Sequence, residues 1–167
     1  MLIDMVLWYR VFRNAAYANA IVSVIWTVLF IIPFEPFTYL LVIVERGGPG
    51  IWFLIAYFLY IIVGSLGFAV ISSLLYIIEV QERRFISGKA MVLGFSFAYA
   101  GVTASSIMMG IAGALGGYAM YFANYPESQI VNLLSAYVYP IAVTAFLAAI
   151  GVLIIIITFM LSRAQQG

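Results

Sequence analysis

Long uncharged apolar stretches, separated by short charged segments, make up most of this chain. Four of these stretches could cross a membrane, because a helix needs about 20 mostly apolar residues to span a hydrocarbon core of roughly 30 Å. Their continuous, non-alternating pattern predicts helices rather than the strands of a barrel. We therefore predict an all-α fold, a single integral membrane bundle over residues 1–167 with four transmembrane helices at about 15–34, 51–78, 91–122 and 133–161.

Two further segments flank the first predicted span. The apolar stretch Phe37–Val44 is too short to cross and is expected to lie at the interface, or to dip into the membrane and return. Met1–Asn14 mixes charged and aromatic residues in an order that a cleaved signal peptide does not have. We interpret it as an amphipathic N-terminal segment at the membrane surface. A simple extension of the first helix is the alternative.

The basic residues predict the orientation of the bundle. In a four-span arrangement six of the seven lie on one side and only Arg46 lies opposite; the six are Arg10, Arg13, Arg83, Arg84, Lys89 and Arg163. Cytoplasmic loops attract Lys and Arg. We therefore predict a multi-pass protein of the cell membrane with both termini in the cytoplasm.

The amino-acid composition limits the kinds of site that the chain can form. Apolar residues make up 66% of the chain, and it contains neither Cys nor His. This excludes disulfides, thiol nucleophiles and the usual haem, zinc and iron–sulfur ligands. The net charge of +1 offers no basis for binding nucleic acid. We expect no catalytic residues, no metal site and no cofactor, although contacts with a lipid or a quinone stay open.

The third span is rich in small residues that predict close helix packing. In the first half of the span these small residues recur along one helical face, and in the second half they form GxxxG-type pairs. The residues are Gly94, Ala98, Gly101, Ser105, Ala112, Gly113, Gly116 and Gly117. In lipid, small residues let helix backbones approach closely and so drive association. This helix is expected at the centre of the bundle or against a partner chain. A cofactor groove is the alternative.

Polar side chains also recur along one face of the first span. Asn19, Ser23 and Thr27 are spaced by four residues. Such a stripe commonly forms hydrogen bonds with a neighbouring helix. The alternative interpretation is a polar lining for the path of a small molecule.

Mixed charges follow the second span. Glu79 and Arg83 are four residues apart, a spacing that favours an ion pair on a helix. With Arg84 and Lys89 they form a cluster that we interpret as a cytoplasmic anchor of the topology, or otherwise as a docking surface.

The segment Trp52–Glu79 reads WFLIAYFLYIIVGSLGFAVISSLLYIIE. It resembles small archaeal four-helix membrane proteins that look like fragments of haem–copper oxidase subunit I and occur among energy-metabolism genes. The metal ligands of that family are histidines, which this chain lacks. The resemblance therefore implies a retained helical scaffold without the redox centre, as in an accessory subunit.

Taken together, these features predict a non-catalytic subunit of a larger membrane complex, either a respiratory oxidase or a membrane-bound oxygenase. Its partners would be other membrane subunits, in a hetero-oligomer, and membrane lipids. The alternative is a small transporter or channel for an uncharged or lipophilic solute, lined by the stripe on the first span.

Overall fold

The computed structural model describes residues 7–32 and 37–164. Four of its helices are long and apolar enough to cross a membrane; these first to fourth spans are Trp8–Ile31, Gly50–Gln81, Gly88–Tyr121 and Glu127–Met160. The coarse prediction of a helical membrane protein with four spans is therefore confirmed. The third and fourth spans have 34 residues each. At about 1.5 Å per residue they measure roughly 51 Å, so they must tilt or extend beyond the hydrocarbon.

The first span begins earlier than its uncharged stretch does. Residues 8–14 are its first two turns, which corresponds to the extension that the sequence left as an alternative. Trp8 and Phe12 are buried there rather than facing the outside. Phe12 stacks on Phe68 of the second span and meets Phe95 of the third edge-on. Residues 1–6 lie outside the described part, as do residues 33–36, where the first span was predicted to end.

The second span is one continuous helix with two wider segments. It is α-helical over Gly50–Leu59 and Phe68–Tyr76, and π-helical over Tyr60–Gly67 and Ile77–Gln81. π-Helical turns are rare and commonly occur at functional sites. The longer of the two lies in the middle of the span, where it faces the polar stripe of the first span.

A short helix, Phe37–Arg46, connects the first two spans. With ten residues it is too short to cross a membrane, and it packs on the far end of the third span. Gly47 and Gly48 then adopt φ values of 81° and 53°, a left-handed conformation that glycine accepts readily. This turn leads directly into the second span.

Successive spans pack on each other, and the fourth span contacts the described chain chiefly through the third. Two-residue strands, Arg84–Phe85 and Arg163–Ala164, pair antiparallel beyond the ends of the second and fourth spans. The start of the first span reaches the same end through Glu79. One end of the bundle thus gathers the start of the first span, the connection between the second and third spans, and the segment after the fourth.

Candidate functional site

A buried polar cluster joins the first span to the π-helical middle of the second. Asn19, which is 1% exposed, is its centre. Its Nδ2 donates to the backbone oxygen of Gly64 at 2.6 Å, and its Oδ1 accepts a hydrogen bond from the hydroxyl of Tyr60 at 2.9 Å. Both ends of the amide are therefore engaged across the interface between the two helices.

The rest of the cluster continues along the same two helices. Ser23 donates to the backbone oxygen of Asn19 at 2.8 Å, and its Oγ lies 3.3 Å from that of Ser65. One turn further on, Thr27 Oγ1 donates to the Ser23 backbone oxygen and lies 2.7 Å from the Tyr57 hydroxyl. The predicted stripe thus faces a neighbouring helix, and each of its three side chains has a polar partner there.

Aromatic rings cover the cluster on the side of the third span. Trp26 contacts Phe53, Tyr57 and Tyr60, with ring centroids between 5.6 and 6.0 Å apart. A Cβ atom at Gly110 of the third span would lie 3.1 Å from the Trp26 ring. The absence of a side chain at this glycine lets the indole pack closely, so rings and the third helix cover the cluster on this side.

The first half of the small-residue face lies against the fourth span. A Cβ atom at Gly101 would meet the Ala148 backbone nitrogen at 2.5 Å and the Thr144 oxygen at 2.6 Å. A Cβ atom at Gly94 would meet the Ile155 side chain at 2.9 Å and the Gly151 backbone oxygen at 3.2 Å. Ala98 is fully buried beneath Gly151, and Ser105 is buried with its hydroxyl donating to the backbone oxygen of Val102.

The second half of that face turns towards other parts of the same chain. Gly113 leaves room for the backbone of Phe53, and Gly117 for the side chain of Ile43. Gly116 lies beside Pro49 and Leu134. All eight residues, with Ala112 included, are buried in the bundle. The structure thus places the third span between the second and fourth, in close contact with both.

Glu79 has a different partner from the one that its spacing suggested. Its two carboxylate oxygens each accept a hydrogen bond at 3.0 Å, one from the backbone N–H of Trp8 and one from that of Tyr9. These are among the first N–H groups of the first span, which lack partners within their own helix. The Glu79 carboxylate therefore caps that helix and also faces the positive end of its dipole.

The predicted pair between Glu79 and Arg83 does not form. The helix ends at Gln81, and Arg83 adopts a φ of 52°, so the two residues no longer share a helical face. Arg84 instead bonds Glu82 at 2.9 Å, with both side chains nearly half exposed. Lys89 is exposed at the start of the third span.

Four members of the polar cluster were not found from the sequence. They are Tyr57, Tyr60, Gly64 and Ser65, all on the second span. The only signal was the pair Gly64-Ser65 within an otherwise apolar stretch. Two further hydroxyls, on Thr103 and Ser106 of the third span, are buried without a hydrogen-bond partner in the described chain.

Comparisons of the chain with protein-family models, with curated proteins and with solved structures give no match. Among the described residues, no three His, Cys, Asp or Glu side chains come together as a metal site would require. The contacts within this chain are therefore the basis for a proposed function.

Proposed function

We propose that the chain is a non-catalytic helical subunit of a larger membrane complex. The class of complex that we propose, from the resemblance of the second span, is a respiratory oxidase or a membrane-bound oxygenase. The observation that supports the proposal is the polar cluster, whose side chains bond to one another across the interface between the first and second spans instead of facing a solute path. These hydrogen bonds hold the first and second helices together.

The cluster also bears on the alternative of a transporter. A solute path needs polar groups that face a continuous opening. Asn19 and Ser23 are almost completely buried, and their side-chain oxygens are held by Tyr60 and Ser65. A solute would have to break these bonds and displace the aromatic rings around them. This arrangement favours a structural role for the stripe.

The surface left for a partner consists of large apolar side chains, because the small-residue face is used within the chain. On the fourth span, Tyr139 is 81% exposed and Phe146 is 66% exposed. A neighbouring subunit or lipid would meet this outer face. We propose that the fourth span is the principal docking helix, since its contacts with the described chain are made chiefly through the third span.

We also propose that both termini face the cytoplasm. The end of the bundle that gathers the start of the first span and the segment after the fourth also holds Arg10, Arg13, Arg83, Arg84 and Lys89. Cytoplasmic segments are enriched in such residues. Because the chain has no Cys, single cysteines report orientation without background.

Ser87→Cys and Ser128→Cys form a matched pair for this test, since both serines are exposed and lie at opposite ends of the bundle. In intact cells, a membrane-impermeant maleimide should label Ser128→Cys and leave Ser87→Cys unlabelled until the cells are opened. The reverse labelling pattern would show that both termini face away from the cytoplasm.

The subunit proposal is tested by photo-cross-linking in native membranes. A photoreactive amino acid at Phe146 should give a discrete product with another membrane protein. The same group at Phe12, which is fully buried, is the control and should give none. Lipid adducts alone at Phe146 would remove the fourth span as a docking helix. Solute flux in vesicles that is lost in Asn19→Leu would favour the transporter instead.

A further inference from the structure

We propose that the groove between the first and second spans binds one anionic phospholipid, with its phosphate on Arg13. The groove is a cavity of about 390 Å³ that opens near the end of the bundle where the first span begins. This inference depends on membrane insertion and is independent of the proposed role as a subunit.

The walls of the groove suit an acyl chain. Ala16, Ala20, Leu66 and Ala69 line most of it, together with Ser65 of the polar cluster, and the small alanine side chains leave a cleft between the two helices. Along the first span it runs from Arg13 to Ala20, which is about 10 Å of helix. One leaflet of a hydrocarbon core is roughly 15 Å thick. The groove is therefore long enough to hold much of one chain within a single leaflet.

At the mouth of the groove the serine hydroxyls have hydrogen-bond partners, whereas the Arg13 guanidinium has no acidic partner among the described residues. Ser72 donates its proton to the Tyr9 backbone oxygen at 2.8 Å, and Ser73 donates to that of Ala69 at 3.0 Å. Arg13 is exposed, and its guanidinium lies 5.9 Å from the centre of the Tyr9 ring. No described carboxylate lies within ion-pair distance of it.

The nearby charges make this mouth electropositive. Arg10 stands beside Arg13 and also contacts the Tyr9 ring. The acidic group on the facing helix, Glu79, directs both oxygens to the backbone of the first span, and the two arginines outnumber it, so the net charge at the mouth is positive. An arginine fork matches the oxygens of a phosphate. Basic pockets between transmembrane helices commonly hold anionic headgroups.

An apolar cleft directly below a free guanidinium favours a molecule that has both an acyl chain and an anionic group. A free anion would use Arg13 and leave the cleft unfilled, whereas a neutral lipid would fill the cleft and leave the charge unpaired. An anionic glycerophospholipid satisfies both, and phosphatidylglycerol is the probe for the test.

The experiment is native mass spectrometry of the full chain, purified with any subunits that accompany it, in a neutral detergent. We expect one phosphatidylglycerol to bind at least about fivefold more tightly than phosphatidylcholine, the effect of one basic residue near an anionic lipid surface. Arg13→Gln should remove this preference, and Arg13→Lys should keep most of it. Arg46→Gln, at the opposite end, is the charge control and should behave as the wild type.

A second pair of variants tests the cleft itself. Ala20 is exposed and lines the groove, so Ala20→Leu fills it without disturbing the core. It should weaken the binding of both lipids, whereas Ala18→Leu, also at an exposed site on the first span, should not.

Four results would overturn the proposal. Equal binding of the two lipids, or unchanged binding in Arg13→Gln, would show that the charge has no role. Displacement of phosphatidylglycerol by millimolar inorganic phosphate would show a free-anion site instead. Unchanged binding in Ala20→Leu would show that the chain does not occupy the cleft.

Discussion

The close contact between the third and fourth spans can be tested by adding a methyl group to the glycines that allow it. At Gly101, an added Cβ atom would lie 2.5 Å from the Ala148 backbone nitrogen, whereas ordinary contact begins at 3.4 Å. Gly101→Ala therefore requires the two backbones to separate by close to 1 Å. The same holds for Gly151→Ala, whose Cβ would lie 2.7 Å from the Gly94 oxygen and still closer to the Ala98 backbone nitrogen.

The expected magnitude follows from this displacement. Overpacking of a tight interior costs about 1–3 kcal/mol. A gap of 0.5–1 Å also removes roughly a quarter to a half of the dispersion attraction across the neighbouring contacts. Since backbone atoms rather than flexible side chains are in the way at both sites, we expect each variant to lose about 2–3 kcal/mol of unfolding free energy.

Two glycines outside this contact provide the control. At Gly67 the nearest atom to an added Cβ would be the Ile62 oxygen at 3.4 Å, and at Gly88 nothing lies within 4 Å. Alanine favours a helix over glycine by roughly 0.5–1 kcal/mol. We expect both variants to be as stable as the wild type or slightly more stable.

Reversible unfolding in mixed detergent micelles, followed by far-ultraviolet circular dichroism, measures these differences. We expect a loss of stability in Gly101→Ala and Gly151→Ala, and no loss in the two controls. Equal stability of Gly101→Ala, Gly151→Ala and the two controls would refute the close approach of the third and fourth helices.

The remaining predictions use the same unfolding assay. Glu79→Gln keeps one acceptor for the start of the first span but loses the other, and should cost about 1–2 kcal/mol. Glu82→Gln, which removes only an exposed ion pair, should change stability by less than about 0.5 kcal/mol, and an equal loss in both would refute the cap. Asn19→Leu leaves the Tyr60 hydroxyl and the Gly64 oxygen without this partner and should cost about 1–3 kcal/mol. Tyr57→Phe, at the edge of the polar cluster, should cost about 0.6 kcal/mol. A larger loss of stability in Tyr57→Phe than in Asn19→Leu would contradict the assignment of Asn19 as the centre of the cluster.

The number and nature of the spans could be predicted from hydropathy because lipid imposes one requirement on every crossing segment. Backbone groups must be satisfied within the helix and side chains must be apolar. The start of the first span was predicted seven residues late, at Ala15 instead of Trp8. The uncharged stretch ends there, but the helix continues because Glu79, some 70 residues away, caps it.

The partners of the polar stripe could not be predicted for a similar reason. Its spacing places Asn19, Ser23 and Thr27 on one face, but the residues opposite depend on the register between two helices. Three of those residues, Tyr60, Gly64 and Ser65, lie in the π-helical segment Tyr60–Gly67, which has no marker in the hydropathy pattern. The small residues of the third span posed the same problem, since packing within the chain and packing on a partner use the same motif.

The measurement that tests the subunit proposal most directly is the mass of the particle that contains this chain when it is taken from its own membrane into polymer-bounded nanodiscs. We expect a particle that contains other membrane proteins in fixed stoichiometry, identified by mass spectrometry of the same sample. Recovery of an 18.4 kDa chain with lipid alone, at natural expression, would contradict it.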